Sequence, residues 1–367
     1  MPTFSRFFPS PCERPGYAMA TYARSFALGV RRKWLAQLAV AVALVALAAT
    51  QMNPKDFVLA FSGIRYEWLA AAVLVYLAGR LLNAWEWQIL IMKVGHAPLF
   101  GLLGVLLIGT LVNTVFPANL GDVAKIQIAA NRYSLSRAGL VAGRGAEAVV
   151  NGAIFACFVL VTVALLGGIG AGTLLWALAP ALALFIAAVL ATRAMPEAVP
   201  RDRMPRVIPV RWRESIEHHW PRFHDGLEAL RHGRVLLRLG LLGLIGWVID
   251  IAINWAYGTA FDLHLPLSSY VLLAVVFGVI TTFPITFGNV GSWEFGIVGV
   301  LALYGVPADR ALAFGVATHV LIAALNLVAG SIAVGVMRVS PSDLFALRSA
   351  SVPSVPSVPS VPSVQPS

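Results

Sequence analysis

The sequence predicts an all-α, polytopic membrane protein with about six full spans and two re-entrant helical hairpins in an inverted-topology repeat. The 367 residues are 59% hydrophobic and only 12% charged, whereas a soluble domain is about one quarter charged. The mean hydropathy is +0.80. Apolar runs of bilayer length recur along the chain, and one pattern that interrupts such a run occurs twice. Together these observations predict a bundle of membrane-embedded helices.

The repeated pattern joins the segment Thr114–Ala124 to the segment Thr281–Gly291. The two segments match at five positions, with a threonine, a phenylalanine, a proline, a glycine and a valine. Asp122 in the first copy faces Asn289, a near-isostere, in the second. Paired interruptions of apolar segments in the two halves of a membrane protein indicate the binding site of a transporter. The repeat therefore locates the candidate functional site.

Six apolar segments are predicted to cross the membrane once: 34–51, 67–92, 138–168, 173–192, 236–261 and 309–337. The two apolar segments that contain the repeated pattern are predicted instead to enter the membrane and return on the same side. They turn at 116–122 and at 283–291, and we expect Pro117 and Pro284 to form these turns.

The distribution of arginines predicts the orientation. The connection 193–235 carries nine arginines, so the positive-inside rule predicts that it is cytoplasmic. If every apolar segment crossed once from a cytoplasmic N-terminus, this connection would lie outside, and two re-entrant hairpins remove the conflict. The first membrane repeat, 34–192, and the second, 236–338, then have opposite orientations, and both termini are cytoplasmic.

The two ends of the chain are predicted to lie outside the membrane. Residues 1–33 form a polar cytoplasmic tail that ends in Arg31-Arg32-Lys33. An alternative is cleavage near Ala46-Leu47-Ala48, which would leave the later spans unchanged. Residues 339–367 repeat Ser-Val-Pro four times, and we expect this tail to be disordered because it cannot bury apolar area.

The basic connection also contains an amphipathic helix. Its apolar residues recur every three or four positions: Trp212, Ile216, Trp220, Phe223, Leu227 and Leu230. The helix either lies on the membrane surface, where its arginines contact anionic headgroups, or packs on the ends of neighbouring spans. Four histidines in the same region are predicted to lie on a solvated face rather than to bind a metal: His218, His219, His224 and His232.

Charge and motifs exclude several function classes. The net charge of +10 does not indicate nucleic-acid binding, because the arginines lie between apolar segments and are explained by orientation and anionic lipid. No metal-ligand spacing, phosphate loop or nucleophile elbow is present in the sequence. We therefore expect no metal site, no cofactor and no catalysis.

Charged side chains inside spans cost about 2.5–3.5 kcal/mol each and require an explanation. Arg80 is expected either to bridge two helices in a salt bridge or to contact an anion, whereas Glu86 is expected to be structural and to reach water. Asn119 or Asp122 either caps the helix that follows the first turn or contributes to an anion site at that helix N-terminus. Lys125 would strengthen such a site.

The later charges offer similar alternatives. Arg144 and Glu147 lie three residues apart on one helix face, so they either neutralise each other or bind a phosphate and a proton. Asp250 is a carboxylate in the middle of a span and is either a protonation site or the partner of an arginine. Glu294 and His319 could form a proton relay. Alternatively, His319 is a core histidine whose hydrogen bonds are satisfied within the protein.

At three places the chain resembles a flippase-like membrane family related to the transmembrane half of bacterial lysylphosphatidylglycerol synthases. The first is Pro117 through Asp122, with Lys125 behind it. The second is Arg144 with Glu147, where the family has Glu-Arg and then Asp. The third is Pro284–Glu294, which resembles Pro-x-x-Pro-Gly-Gly-x-Gly-x-x-Glu. The likeness covers about residues 34–338, and the chain departs from the pattern at Gly143, Phe287 and Asn289.

The resemblance implies a bacterial inner-membrane protein, not an enzyme, that moves a lipid or lipid-linked molecule between leaflets. Lysyl transfer is not predicted, because the aminoacyl-transferase domain of the synthases is not in the sequence. Residues expected to bind an anionic headgroup are Arg80, Asn119, Gly121, Lys125, Arg144, Gly288, Asn289 and Gly291. Residues expected to couple binding to protons are Asp122, Glu147, Asp250, Glu294 and His319. The alternative is a non-transporting scaffold that binds lipid or a lipid-biosynthesis enzyme through the arginine-rich connection.

Overall fold

The computed structural model describes residues 37–44, 46–47, 50, 53–116, 120–167, 171–199, 204, 210–282 and 286–340. Only the backbone is described at 54, 165–167, 171–182, 210–212 and 287. Within these ranges the chain is helical and has no β-strand, so the all-helical fold class is confirmed for this part. The number of full spans and the inverted repeat stay predictions.

Each half of the chain contains two short helices between two long ones. In the first half, the short helix α1 precedes these four helices and α6 follows them. The order is α1 Pro54–Leu59, α2 Tyr66–Leu90, α3 Leu99–Val115, α4 Leu120–Tyr133, α5 Arg137–Gly167 and α6 Ala171–Ala194. In the second half the order is α7 Val210–Arg231, α8 Gly233–Ala260, α9 Leu267–Thr282, a 3-10 turn Phe287–Asn289, α10 Ser292–Ala302 and α11 Ala308–Met337.

Four of the described helices are long and apolar enough to cross a bilayer: Tyr66–Leu90, Arg137–Ala164, Gly233–Ala260 and Ala308–Met337. They coincide with four of the six predicted spans. The other two predicted spans, 34–51 and 173–192, fall on segments whose side chains are described only in part.

Helices α2 and α8 pack against each other along most of their length. Trp68 near the start of α2 packs edge-on against Trp255 near the end of α8, with ring centroids 5.1 Å apart. Farther along, a Cβ at Gly79 would lie 3.0 Å from Cγ2 of Ile249. Since residue numbers rise along one helix while they fall along the other, the two helices run antiparallel.

The short helices form two antiparallel hairpins. In the α3–α4 hairpin, the aliphatic stem of Lys125 passes directly over Gly109, where a Cβ would lie 2.3 Å from Cγ of the lysine. In the α9–α10 hairpin, the rings of Phe277 and Trp293 stack with centroids 3.8 Å apart. Each hairpin is thus held by contacts between its own two arms.

Each hairpin also packs on the long helix that follows the other hairpin. Helix α3 lies against α11, where a Cβ at Gly330 would be 2.4 Å from Cβ of Leu111. Helix α9 lies against α5, where a Cβ at Gly278 would be 2.9 Å from Cε2 of Phe155. Small residues at these crossings let the helices approach closely, as in other membrane bundles.

Two clusters of buried residues form the core. The first cluster contains residues of helices α2, α3, α4, α5 and α7 and of the end of α11. Its most buried large side chains include Trp87, Leu102, Ile108, Leu140 and Leu230. The other joins α8 to α11, with Tyr257, Tyr270, Leu273, Ile297 and Phe314 at its centre. The α3–α4 hairpin therefore belongs to the first cluster and the α9–α10 hairpin to the second.

The amphipathic helix α7 packs on α5, which is the second of the two predicted alternatives for its apolar face. Leu230 is only 1% exposed, and a Cβ at Gly226 would lie 2.1 Å from the carbonyl oxygen of Gly139. The prediction that all four histidines lie on a solvated face is wrong for His224, which is buried and contacts Arg231. The apolar stripe extends around this helix far enough to bury that ring.

Candidate functional site at the two hairpin tips

The first tip is closed by a side chain that caps the second helix of the hairpin. The backbone N–H of Gly121 donates to Oδ1 of Asn113 at 2.6 Å, which satisfies one of the free amides at the start of α4. A Cβ at Gly121 would lie only 2.0 Å from the carbonyl oxygen of Gly109. Glycine is therefore required at position 121 for the two arms to approach this closely.

A chain of ion pairs follows the first tip and joins α4 to α5. Lys125 Nζ lies 2.5 Å from Oδ1 of Asp122. Arg144 spans two carboxylates, with one terminal nitrogen 3.6 Å from Oδ2 of Asp122 and the other 3.6 Å from Oε2 of Glu147. The predicted Arg144–Glu147 pair is present, and the structure adds Asp122 and Lys125 to the same network.

The network leaves hydrogen-bonding capacity on Arg144. Its Nε is buried and has no partner within the described residues, and both of its ion pairs are longer than a good N–H···O hydrogen bond. Glu147 is better held, because Nε1–H of Trp87 donates to its Oε2 at 2.8 Å. Lys125 Nζ also lies 5.9 Å from the centroid of the Trp87 ring, within reach of a cation–π contact.

Glu86 is the carboxylate that the sequence analysis placed wrongly. The prediction that it reaches water is contradicted, since the residue is only 5% exposed. Its Oε1 accepts a hydrogen bond from Nδ2 of Asn151 at 3.3 Å, and its Oε2 lies 3.5 Å from Nδ2 of Asn83. Helix α5 covers this face of α2. The position of Glu86 near the end of α2 does not show that another helix buries it.

The second tip is an irregular turn that needs left-handed backbone conformations. Gly288, Asn289 and Gly291 have φ values of 57°, 60° and 82°, a region that favours glycine and tolerates asparagine. Ser292 Oγ donates to the carbonyl oxygen of Asn289 at 3.0 Å and contacts Thr286 Oγ1 at 2.9 Å. The side-chain Oδ1 of Asn289 is buried and has no partner within the described residues.

Glu294 and His319 clamp this turn to α11. Glu294 Oε2 accepts from the backbone N–H of Gly291 at 2.7 Å, and its Oε1 lies 2.6 Å from His319 Nδ1. His319 Nε2 lies 3.0 Å from the carbonyl oxygen of Gly288. The Trp293 ring stacks on the imidazole, with centroids 5.4 Å apart. The structure thus brings together two of the predicted proton-coupling residues at the second tip.

The two tips are neighbours in the fold. Helix α3 contacts the 3-10 turn of the second tip, and a Cβ at Gly288 would lie 3.8 Å from the carbonyl oxygen of Thr114. Three predicted residues of the tips lie outside the described residues: Pro117, Asn119 and Pro284.

Arg80 and Asp250 are apart from both ion networks. Within the described residues neither side chain forms an ion pair of 4 Å or less, so the expected salt bridge of Arg80 is not found. The Arg80 guanidinium lies 4.9 Å from the centroid of the Tyr76 ring, and its Nε is buried without a hydrogen-bond partner among the described residues. Its charge acts on the carboxylate of Asp250, although the two groups form no ion pair of 4 Å or less. Tyr76 donates to Asn326 Oδ1, and Nδ2 of Asn254 donates to the Asp250 carbonyl oxygen at 2.8 Å.

Several polar residues of the site were missed by sequence reasoning. Asn113 and Asn151 each lie in an apolar helix, four residues or fewer from a predicted turn or charge, and this spacing is a signal that could have identified them. Trp87 lies beside Glu86, but an aromatic residue in a span is usually part of the core. Asn326 lies near no predicted turn or charge.

Comparison with known families identifies the chain at the level of a family. The family described as "Lysylphosphatidylglycerol synthase TM region" matches residues 34–330, which covers both hairpins, three of the four long apolar helices and most of the fourth. No curated protein and no solved structure matches the chain.

Proposed function

This chain belongs to the lysylphosphatidylglycerol synthase transmembrane-region family, and we propose that it moves a lipid or lipid-linked molecule with an anionic headgroup between the two leaflets. The family is one of membrane proteins in lipid metabolism or transport. The observation that carries the proposal is that the tips of the two hairpins meet, with Gly288 beside the carbonyl of Thr114. A binding site between two interrupted segments is the arrangement that transporters with paired repeats use.

The lengths of the short helices support re-entrant hairpins. The arms of the first hairpin have 17 and 14 residues, and those of the second have 16 and 11. At 1.5 Å per residue they measure about 26, 21, 24 and 17 Å, whereas a hydrocarbon core is about 30 Å thick. Each arm is therefore too short for an upright crossing, and a pair of arms that enters and returns explains this.

The packing of the helices supports an inverted-topology repeat. Helix α8 occupies in the second repeat the place of α2 in the first, and the two run antiparallel, as opposite orientations require. The contacts between the two repeats follow the same symmetry. Helix α3 of the first repeat packs on α11 of the second, and α9 of the second packs on α5 of the first. A two-fold exchange of the repeats thus converts one set of contacts into the other.

The cations of the first tip supply the attraction for an anionic headgroup. Arg144 has two long ion pairs and a buried Nε that has no partner among the described residues, so a phosphate can take up its remaining hydrogen-bonding capacity. The ammonium group of Lys125 adds positive charge there. Arg80, which forms no ion pair of 4 Å or less within the described residues and whose charge acts on Asp250, provides a further cation along the path. Acyl tails would stay in the lipid.

The carboxylates and the imidazole provide candidates for coupling to protons. Asp122 and Glu147 share Arg144, so a headgroup that engages the arginine changes the field at both. Glu294 and His319 hold the second tip in one conformation, and a change of protonation there would release it. Rocking of one repeat against the other about the paired tips would then expose the site to each leaflet in turn, in a bacterial inner membrane.

The contacts of α7 favour transport over the scaffold alternative. A scaffold that recruits an enzyme through this helix needs its apolar face free, but Leu227 and Leu230 are buried against neighbouring helices. Helix α7 then contributes to the core of the bundle.

Lipid translocation in proteoliposomes tests the proposal. Labelled anionic, zwitterionic and cationic lipids would be compared with wild type, Asp122→Asn, Glu294→Gln and the control Glu67→Gln, whose side chain is exposed at the start of α2. We expect selective movement of anionic lipid by wild type and the control, and its loss in the two tip variants. Absence of movement of every lipid by folded wild-type protein, with and without a proton gradient, would reject the proposal.

A further inference from the structure

Glu86 is a buried carboxyl group in the first-tip region that the proposed transport mechanism does not use. Its only hydrogen-bond donors within the described residues are the amides of Asn151 and Asn83. Both are neutral, and the two contacts are long for N–H···O bonds, at 3.3 and 3.5 Å. A buried carboxylate that has no cation and only weak donors is strongly disfavoured in its ionised form.

The other acidic groups of the two tips each have a cationic or histidine partner. Asp122 pairs with Lys125 and Arg144, and Glu147 pairs with Arg144. Glu294 pairs with His319 at the second tip. Glu86 is the exception among the described acidic residues of the tips, since it forms no ion pair of 4 Å or less.

The balance of charge in the first-tip network points in the same direction. Three carboxyl groups, those of Asp122, Glu147 and Glu86, are held near only two cations, Lys125 and Arg144. One proton on the three carboxyl groups makes the network neutral. Glu86 is the site for this proton because the other two carboxylates make direct contacts with the cations.

The helices packed against Glu86 bring no further charge into contact with it. Helix α5 presents Glu147 and, beyond it, Arg144. Helix α3 contains no ionisable residue. Helix α8 carries Arg234, Arg238 and Asp250, none of which forms an ion pair within the described residues. In α7, Glu228 pairs with Arg231 and with the adjacent His232 rather than with α2.

We propose that Glu86 is a proton-binding residue whose occupancy controls whether Arg144 is available to an anionic headgroup. With a proton on Glu86, two carboxylates face two cations, and Arg144 can exchange part of its contact with Glu147 for a phosphate. When Glu86 is ionised, the additional negative charge beside Glu147 holds Arg144 within the network and repels the incoming anion. Linkage then requires that an anionic lipid bound at Arg144 favours the protonated form of Glu86 to the same extent. The headgroup part of this inference rests on the proposed function, whereas the protonation of Glu86 does not.

Infrared difference spectroscopy tests the protonation directly. A protonated carboxyl group has a C=O stretching band that an ionised carboxylate lacks. Full-length wild type, Glu86→Gln and Glu67→Gln would be measured in phosphatidylcholine nanodiscs over a series of pH values. We expect a band at neutral pH that disappears at alkaline pH, is missing in Glu86→Gln and persists in Glu67→Gln. If the band of Glu86→Gln equals that of wild type, Glu86 is ionised and the inference is overturned.

A second series tests the link to the headgroup. Nanodiscs that contain phosphatidylglycerol should move the disappearance of the band to higher pH in wild type. Arg144→Gln should show no such shift, because the arginine that senses the lipid is lost. An identical pH dependence with and without phosphatidylglycerol in wild type would overturn the link. Since neither series requires transport, loss of translocation with the expected spectra would reject the proposed function and leave the protonation of Glu86 standing.

Discussion

The imidazole of His319 lies between two oxygen acceptors, with Nδ1 at 2.6 Å from Oε1 of Glu294 and Nε2 at 3.0 Å from the carbonyl oxygen of Gly288. An imidazolium can donate to both oxygens, with an ionised Glu294 as its counter-ion. A neutral imidazole forms the same two contacts when its Nε2–H donates to Gly288 and its Nδ1 accepts from a protonated Glu294. This pair connects the second tip to α11 through both the carboxylate and the backbone of the turn.

Replacement of His319 by glutamine should loosen the second tip. The amide of glutamine cannot replace both ring nitrogens of the imidazole, so Glu294 is left buried without its partner on α11. We expect the free energy of unfolding to fall by about 3 kcal/mol, as for other broken buried pairs, measured by thermal or denaturant unfolding in detergent. The control is His264→Gln, because His264 is exposed in the loop before α9. Equal stability of the two variants would contradict the clamp.

Alanine at position 121 should force the first hairpin apart. The added methyl group would lie 2.0 Å from the carbonyl oxygen of Gly109 and 2.5 Å from Oδ1 of Asn113, so the backbone must move. We expect a loss of about 1–3 kcal/mol in stability and a reduced rate of lipid translocation. Gly152→Ala is the matched control, because no atom lies within 4 Å of a Cβ at that helical glycine. A stable Gly121→Ala protein with wild-type transport would mean that the arms do not approach as described.

The two arginines should respond differently to neutralisation. Arg144→Gln leaves the carboxylates of Asp122 and Glu147 without their shared cation, so we expect a loss of about 1–3 kcal/mol, since the site is only partly buried. Arg80→Gln removes a cation that acts on the carboxylate of Asp250 without an ion pair of 4 Å or less within the described residues, so the loss should be smaller than that of Arg144→Gln. Unfolding measurements on both variants check this contrast. Similar losses in both would indicate a partner for Arg80.

If Arg80 lies on the path of the headgroup, its variant should still show a defect in transport. We expect Arg80→Gln to move anionic lipid more slowly while its unfolding midpoint falls less than that of Arg144→Gln. Arg80→Lys retains the charge but lacks the planar guanidinium that packs over Tyr76, so it should recover part of the rate. Full transport by Arg80→Gln would remove this residue from the path.

The docking of α7 depends on a contact between glycines. A methyl group at Gly226 would lie 2.1 Å from the carbonyl oxygen of Gly139 and 2.7 Å from Cβ of Ala142, so Gly226→Ala should separate α7 from α5 at a cost of about 1–3 kcal/mol. Limited proteolysis in the connection before α7 should become faster. Gly240→Ala, where nothing lies within 4 Å, should behave like wild type. Unchanged proteolysis of Gly226→Ala would show that α7 is not held by this contact.

Sequence reasoning predicted those features that local patterns determine. Hydropathy located the four long helices, because a span needs about twenty apolar residues. The three-residue spacing of Arg144 and Glu147 predicted their pairing, since such residues share one face of a helix. The repeat of proline and glycine located both tips, although Pro117, Asn119 and Pro284 themselves lie outside the described residues.

The remaining features depend on which helices become neighbours, and a single sequence does not contain that information. Glu86 looks accessible near a helix end, but α5 covers it. Asp122 and Arg144 are 22 positions apart and meet only because α4 folds back beside α5. The contact of His319 with Gly288 likewise requires α11 to pass behind the second tip. Each of these contacts joins helices whose relative positions are set by tertiary packing.

The predicted inversion of the two repeats can be tested by labelling two histidine positions with a membrane-impermeant maleimide. His96 lies in the loop before the first hairpin and His264 in the loop before the second, and both are exposed. Each would be replaced by cysteine in a Cys12→Ser, Cys157→Ser background.

Since the nine arginines of 193–235 predict that the first hairpin opens to the cytoplasm, His96→Cys should be labelled only from that side. His264→Cys should be labelled only from the opposite side, because an odd number of crossings, 138–168, 173–192 and 236–261, separates the two loops. Labelling of both cysteines from one side would exclude opposite orientations of the repeats and, with them, a site formed by two hairpins that enter from opposite leaflets.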